Sequence, residues 1–274
     1  MITNNKSEEN WIENEKSIST DLIRFEKILY ELAFERGFAI QELGKVGEYP
    51  ISLLTPEKST NGPNLLIAAV FHGEEPAGGW GILRFLQEVP EKIIASSNLS
   101  FLPIVNPTGF RNGRRTNDWG ENPNRGFIHC NPEQSIPSRE GHILVEHLAS
   151  IKLLAKDGFI SLHEDIEMEK FYIYTFENAE VPSAFSETLR NEEQKYFQAY
   201  PDGMLEGGLV NNGIVFRYCD GSFEDLLFHE GIPRTACTET PGLLNINSRI
   251  EANVGIITAF VDFAISLQIP RKGR

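Results

Sequence analysis

The chain reads as a single α/β domain, a mixed, mostly parallel sheet with helices on both faces, and three observations predict it. Apolar runs at 64–71, 99–105, 158–162 and 234–238 are short enough to be buried strands. Longer stretches with helical spacing lie between them, at 76–87, 139–156 and 182–198. No linker or repeat interrupts this alternation, and strands alternating with helices form a sheet covered on both sides. The 274 residues suffice for one such domain or two small ones.

The elements follow in order. Leu22, Phe25, Ile28, Leu29 and Leu32 recur at helical spacing between charges, which predicts an amphipathic helix over 19–36 within an N-terminal helical extension of about 1–40. The strand at 64–71 leads into the helix at 76–87, the strand at 99–105 into a polar loop, and the helix at 139–156 into the strand at 158–162. After 182–198 and 234–238, Ile250, Val254, Ile257, Phe260, Val261 and Ala264 mark a closing helix at 248–268. The expected domain therefore occupies 1–274. With 35 residues after Glu239, a further C-terminal domain is not expected.

Composition narrows the function. A hydrophobic fraction of 41% is ordinary for a protein with a sizeable core. Twenty-five basic against 39 acidic residues give a net charge of -14, which argues against nucleic-acid and anionic-membrane partners. Cys130, Cys219 and Cys237 are too few and scattered for a disulfide framework or a CxxC zinc knuckle. The N-terminus lacks a signal-peptide apolar region, and no run approaches 18 consecutive apolar residues, so a cytoplasmic location is expected.

In open α/β sheets, sites form at the carboxyl ends of strands. His72 and Glu75 follow the first strand, Asn106 the second, while His163 and Glu239 end the third and fourth. Imidazole and carboxylate both ligate Zn²⁺, and catalytic zinc sites use three protein ligands. Taken singly, an HxxE pair is more often a surface or capping pair than a metal site. His163 supplies a third ligand in this reading, whereas His129, His142, His147 and His229 read as structural or surface residues.

Arg115, Asn124 and Arg125 lie in a Gly/Pro/Asn-rich loop region. Guanidinium matches a carboxylate with paired donors, and an arginine near a polarised carbonyl stabilises a developing oxyanion. A plain polar loop with solvated arginines fits the same composition. Glu239 is placed to exchange protons with a water and a leaving nitrogen, or to bond a neighbouring loop.

The ordered segments HGEEPAG from His72, NPTGF from Asn106, RTN with NPNR from Arg115 to Arg125, SLH ending at His163, and TETP around Glu239 resemble the zinc metallocarboxypeptidase family typified by carboxypeptidase A. The resemblance spans roughly 64–265. It implies one zinc ion per chain on His72, Glu75 and His163, with Glu239 as general acid/base and Arg115 polarising the scissile carbonyl. It further implies that Asn124 and Arg125 grip the substrate's terminal carboxylate. Tyr218, near Gly221-Ser222, is the nearest match for the tyrosine that covers this carboxylate. Asn122 stands where the family usually has an aspartate orienting the first histidine; an amide accepts the same hydrogen bond without adding charge.

The expected activity is hydrolysis of an amide bond beside a free carboxylate. Small bacterial members that cut murein peptides share the HGEEPAG context. Glu224 and Asp225, near the family's side-chain pocket, would suit a cationic amine. The alternative is an N-acyl amino acid deacylase of the related succinylglutamate desuccinylase/aspartoacylase type, from which Ser161-Leu162 differs where Asp-Leu is usual. A metal-binding protein without catalysis is the third reading, with Asn122 as its support. The expected partner is a peptide or acyl-amino-acid substrate.

Overall fold

A computed structural model describes residues 20–127 and 136–268; His129 and Cys130 lie outside them. Its centre is four parallel strands, β4 (Asn98–Leu102), β3 (Asn64–Ala69), β5 (Gly158–Asp165) and β10 (Arg234–Pro241), adjacent in that order. Nearly every residue of β3, β5 and β10 is buried, because helices cover both faces. Continuous apolar runs therefore made these strands legible.

The wings are largely antiparallel. On one side, β1 (Phe38–Val46) and β2 (Tyr49–Pro56) form a hairpin that joins β4. On the other, β6 (Tyr172–Glu177) pairs antiparallel with β10, and β9 (Ile214–Phe216), β8 (Gly208–Asn211) and β7 (Gly203–Leu205) complete the ten-stranded sheet. The sheet is thus mixed, with its parallel part confined mainly to the centre. In β1 the residues from Ala39 to Glu42 are exposed, and β7 to β9 span three or four residues each, so neither produces a long apolar run.

Helix α1 (Leu22–Glu35) is capped by Asp21 and buries Phe25, Leu29 and Leu32; the Phe25 ring meets Trp80 of α2 (Ala77–Glu88) edge-on at 5.2 Å. A short helix α3 (Glu91–Ile94) leads to β4, and α4 (Pro107–Asn112) follows it. The predicted helix at 139–156 is two, α5 (Arg139–Glu146) and α6 (Leu148–Leu154). They break at His147, whose Nε2 lies 2.8 Å from the Leu43 carbonyl of β1. Helix α7 (Ala184–Glu193) ends sooner than its sequence pattern, α8 (Phe223–His229) precedes β10, and α9 (Ile246–Gln268) closes the chain. Helix α9 is long and apolar enough to cross a membrane, but it buries Ile250, Ile256, Phe260 and Val261 against α2 and α7, as a core helix does.

Glu193, the last residue of α7, is fully buried, and neither carboxylate oxygen has a hydrogen-bond partner among the described residues. Burial, and then the charge of Glu239, push its pKa well above the ordinary carboxylate range. Because the folded pKa is raised, the stability linked to this group is full below the ordinary carboxylate pKa and falls as pH rises toward the folded value. Glu193→Met should stabilise the protein by about 1–3 kcal/mol at pH 8 and by less at pH 5, as thermal unfolding at both pH values will read.

Candidate metal centre

At the end of β3 the chain turns sharply. Val70 has a φ of 54°, an uncommon conformation for a β-branched residue. The next two residues are Phe71, which packs into the core, and His72. A Cβ on Gly73 would lie 1.9 Å from the Gly109 carbonyl carbon, so the close approach of this loop to α4 requires glycine. Asn106 fixes the same junction: its Nδ2 donates to the carbonyls of Phe71 and Arg115, each at 3.2 Å, and its Oδ1 accepts from Gly109 N–H at 2.8 Å. One buried amide therefore ties the His72 loop to the segment bearing Arg115.

The predicted ligands converge. His72 Nδ1 lies 2.7 Å from Glu75 Oε1, and His163 Nδ1 lies 2.7 Å from Glu75 Oε2. All three residues are buried. His72 Nε2 faces Asn122 Oδ1 at 3.0 Å, so the amide occupies the orienting position beside the first imidazole. Burial would raise the Glu75 pKa, but the two imidazoles hold it low. Burial depresses His72 despite Glu75, whereas at His163 the opposing pull of Glu75 prevails and raises the pKa. The next residue, Glu164, is buried and accepts from Ala77 N–H at 2.6 Å while pairing with Arg249, which locks β5 to α2 just beyond Glu75.

Glu239 on β10 sits beside His163 in strand register. Burial raises its pKa, the charges of Glu75 and Asp165 add to this, and His163 and Arg115 oppose it, leaving it at about 8. Arg115 Nη1 lies 3.2 Å from Glu75 Oε1, and Arg125 Nη2 lies 3.0 Å from Asp220 Oδ2. A cleft of about 370 Å³ exposes His72, His163, Glu239, Asn124 and both arginines together. Two of these predicted residues are partly engaged. Asn124 donates to Glu224 at 3.2 Å and accepts from Phe223 N–H at 2.9 Å, and Arg125 Nη1 donates to the Asn124 carbonyl.

Tyr218 is not brought into the cleft. Its ring packs on Tyr174, and its hydroxyl donates to the Glu206 carbonyl at 3.0 Å. Glu224 lines the cleft and bonds Ser161, whereas Asp225 turns toward the Asp220 and Gly221 N–H groups. Sequence reasoning did not single out Asp165, Tyr172 and Tyr174. Asp165 lies two residues past His163, on the same face of β5, and this period-two spacing was a usable signal. Tyr172 and Tyr174 pair in register with Glu239 and Cys237, and the Tyr172 hydroxyl donates to Asp165 at 2.6 Å.

Fold and site together define the class: a hydrolase of metallopeptidase type, in which a buried His-Glu-His group at strand ends opens into a cleft. The model of the succinylglutamate desuccinylase/aspartoacylase catalytic domain matches residues 61–181, a span that holds His72, Glu75 and His163. A crystal structure from Shewanella amazonensis SB2B, assigned as a metallopeptidase, is 40% identical, with 89% of this chain and 94% of that one covered and a TM-score of 0.85. Another so assigned, from Shewanella denitrificans OS217, is 38% identical over 89% and 91%, with a TM-score of 0.84. A metallo-carboxypeptidase from Pseudomonas aeruginosa, in complex with (2-guanidinoethylmercapto)succinic acid, shares the fold at 16% identity and a TM-score of 0.63, over 90% of this chain and 69% of that one. No curated protein matches the sequence. The chain belongs to the zinc carboxypeptidase-like family.

Proposed function

We propose that the protein is a zinc-dependent amide hydrolase of the carboxypeptidase type, which cuts a bond beside a free carboxylate. The observation that carries this reading is the convergence of two imidazole Nδ1 atoms on one buried carboxylate, at the wall of a cleft that also presents Glu239, Arg115 and Arg125. His72, Glu75 and His163 offer a nitrogen and oxygen donor set that fits one zinc ion. When bound, zinc supplies Lewis acidity toward a water and a carbonyl oxygen.

The chain's own groups do the rest. Glu239 removes a proton from the attacking water and delivers it to the leaving nitrogen. The Arg115 guanidinium, half exposed and 3.2 Å from Glu75, donates to the oxygen on which charge develops. Arg125 and Asn124 hold the substrate carboxylate, which displaces Asp220 from one edge of the guanidinium. Arg115→Ala should lower kcat by about 10²–10³ with the metal content unchanged, and steady-state kinetics with metal analysis will check both.

A second reading, an N-acyl amino acid deacylase, draws support from the matched family model over 61–181. Both reactions hydrolyse an amide next to a carboxylate, so the substrate separates them. Zinc-loaded protein should be incubated with C-terminally free peptides, γ-D-glutamyl-diaminopimelate peptides and N-acyl amino acids, with products identified by mass spectrometry. Release of a terminal residue from peptides supports the carboxypeptidase, and preference for the γ-D-glutamyl bond directs it to murein peptides. Cleavage confined to acyl amino acids replaces the first reading by the second.

A further inference from the structure

Beside the cleft, a second group of metal-type donors has no part in the proposed reaction. Asp225 and His229 lie four residues apart on α8 and so share one face of that helix. Cys219 lies in the loop just before α8. One ligand atom from each, the Cys219 sulfur, an Asp225 carboxylate oxygen and a His229 ring nitrogen, lies within 4.8 Å of the other two. Cys219 and His229 are exposed, whereas Asp225 is fully buried.

The Asp225 carboxylate provides an independent indication. Its Oδ2 accepts N–H bonds from Asp220 and Gly221, both at 3.1 Å, while its Oδ1 finds no well-aligned hydrogen-bond donor among the described residues. A buried oxygen left in that state costs free energy, and native proteins seldom leave one without a reason. This Oδ1 faces His229 Nδ1 at 3.0 Å, a nitrogen that also bonds the Asp225 carbonyl at 2.9 Å, and the Cys219 thiol hydrogen-bonds the same carboxylate. A cation among the three atoms would satisfy Oδ1.

We propose that Cys219, Asp225 and His229 form a second metal site, selective for a borderline-soft divalent ion such as Zn²⁺, distinct from the His72-Glu75-His163 centre. Thiolate, imidazole and carboxylate together suit this class of ion and disfavour Mg²⁺ or Ca²⁺, which take all-oxygen shells. With bonds of about 2.0–2.3 Å a tetrahedral ion holds its ligand atoms roughly 3.3–3.8 Å apart, so donors within 4.8 Å of one another, with Asp225 and His229 at 3.0 Å, need small shifts to share one ion. Binding releases the thiol proton and breaks the Nδ1–H bond to the Asp225 carbonyl, leaving the imidazole hydrogen on Nε2. The exposed side leaves a fourth position for water.

Occupancy fastens the loop from Arg217 to Ser222 onto α8. That loop carries Asp220, the partner of Arg125 at 3.0 Å, and Ser222 at the cleft wall. The site is therefore placed to stiffen the wall against which a substrate carboxylate docks, independently of the chemistry proposed above.

Cobalt tests this on the full chain. Metal-free protein titrated with Co²⁺ should develop a near-ultraviolet thiolate-to-cobalt band, because one donor is sulfur. Cys219→Ser should abolish the band and leave the spectrum of the nitrogen and oxygen centre, and His229→Gln, also at an exposed position, should weaken the cobalt affinity read from the band. Glu75→Gln should keep the band while losing the other cobalt ion, so failure of the catalytic centre is distinguishable from failure of this site. No thiolate band at cobalt saturation overturns the proposal. A band of unchanged intensity in Cys219→Ser, which would place the sulfur ligand at another cysteine, overturns it equally.

Discussion

Glu239→Gln is expected to lower kcat by about 10²–10⁴ while leaving zinc bound, because the change removes proton transfer and little else. Glutamine keeps the shape and one hydrogen-bonding oxygen, and Glu239 is not among the three convergent ligands. Its position next to His163 in register puts the carboxylate against the centre, within reach of a water there. Turnover and metal content are read on the same sample. A variant that loses metal along with activity would make Glu239 a ligand or a support for one, and a variant with unchanged kcat would remove it from the chemistry.

Glu75→Gln is expected to have a larger effect, abolishing both turnover and tight metal binding at the His72-Glu75-His163 centre. The two histidines share this one carboxylate, one on each oxygen at 2.7 Å, so the substitution removes the central ligand and the negative charge that offsets two imidazoles and a cation. The consequence extends to stability. A ligand that binds only the folded chain stabilises it by about 2.7 kcal/mol when present at a hundredfold its dissociation constant. Wild-type protein should therefore melt higher with zinc than after chelation, and Glu75→Gln should gain less from zinc than wild type, with no gain when Cys219→Ser is combined with it. Calorimetry with and without zinc reads the difference.

Much of this site was legible because its residues sit at the ends of apolar runs. His72, His163 and Glu239 each follow or close a stretch that could only be a buried strand, and parallel strands bring such ends together. The five ordered segments then supplied what spacing alone does not, the placement of Arg115 beside Glu75 and of Asn124 and Arg125 on the cleft wall. The glycines of HGEEPAG and NPTGF also have a physical reason: Gly73 and Gly109 meet backbone to backbone, where any side chain would collide.

Other features were not legible. The β1–β2 hairpin exposes four successive residues of β1, so no alternating or continuous apolar pattern marks it. Tyr172 and Tyr174 reach the cleft through the register of β6 against β10, a long-range pairing that no local pattern encodes. Tyr218 was located by its distance from Gly221-Ser222, but side-chain direction decides its role, and its hydroxyl is held by the Glu206 carbonyl. The helix expected over 139–156 broke at His147 because that side chain turns to the Leu43 carbonyl, a tertiary contact that overrides a helical pattern.

The most direct test uses an N-acylated dipeptide with a free C-terminal carboxylate, its methyl ester, and an N-acyl amino acid, each incubated with zinc-loaded, chelated and zinc-restored protein. The predicted result is amide cleavage of at least one free-carboxylate substrate, lost on chelation, regained with zinc, absent in His163→Ala and strongly reduced on the ester. Equal turnover by the chelated protein, or by His163→Ala, would contradict a hydrolase built on His72, Glu75 and His163.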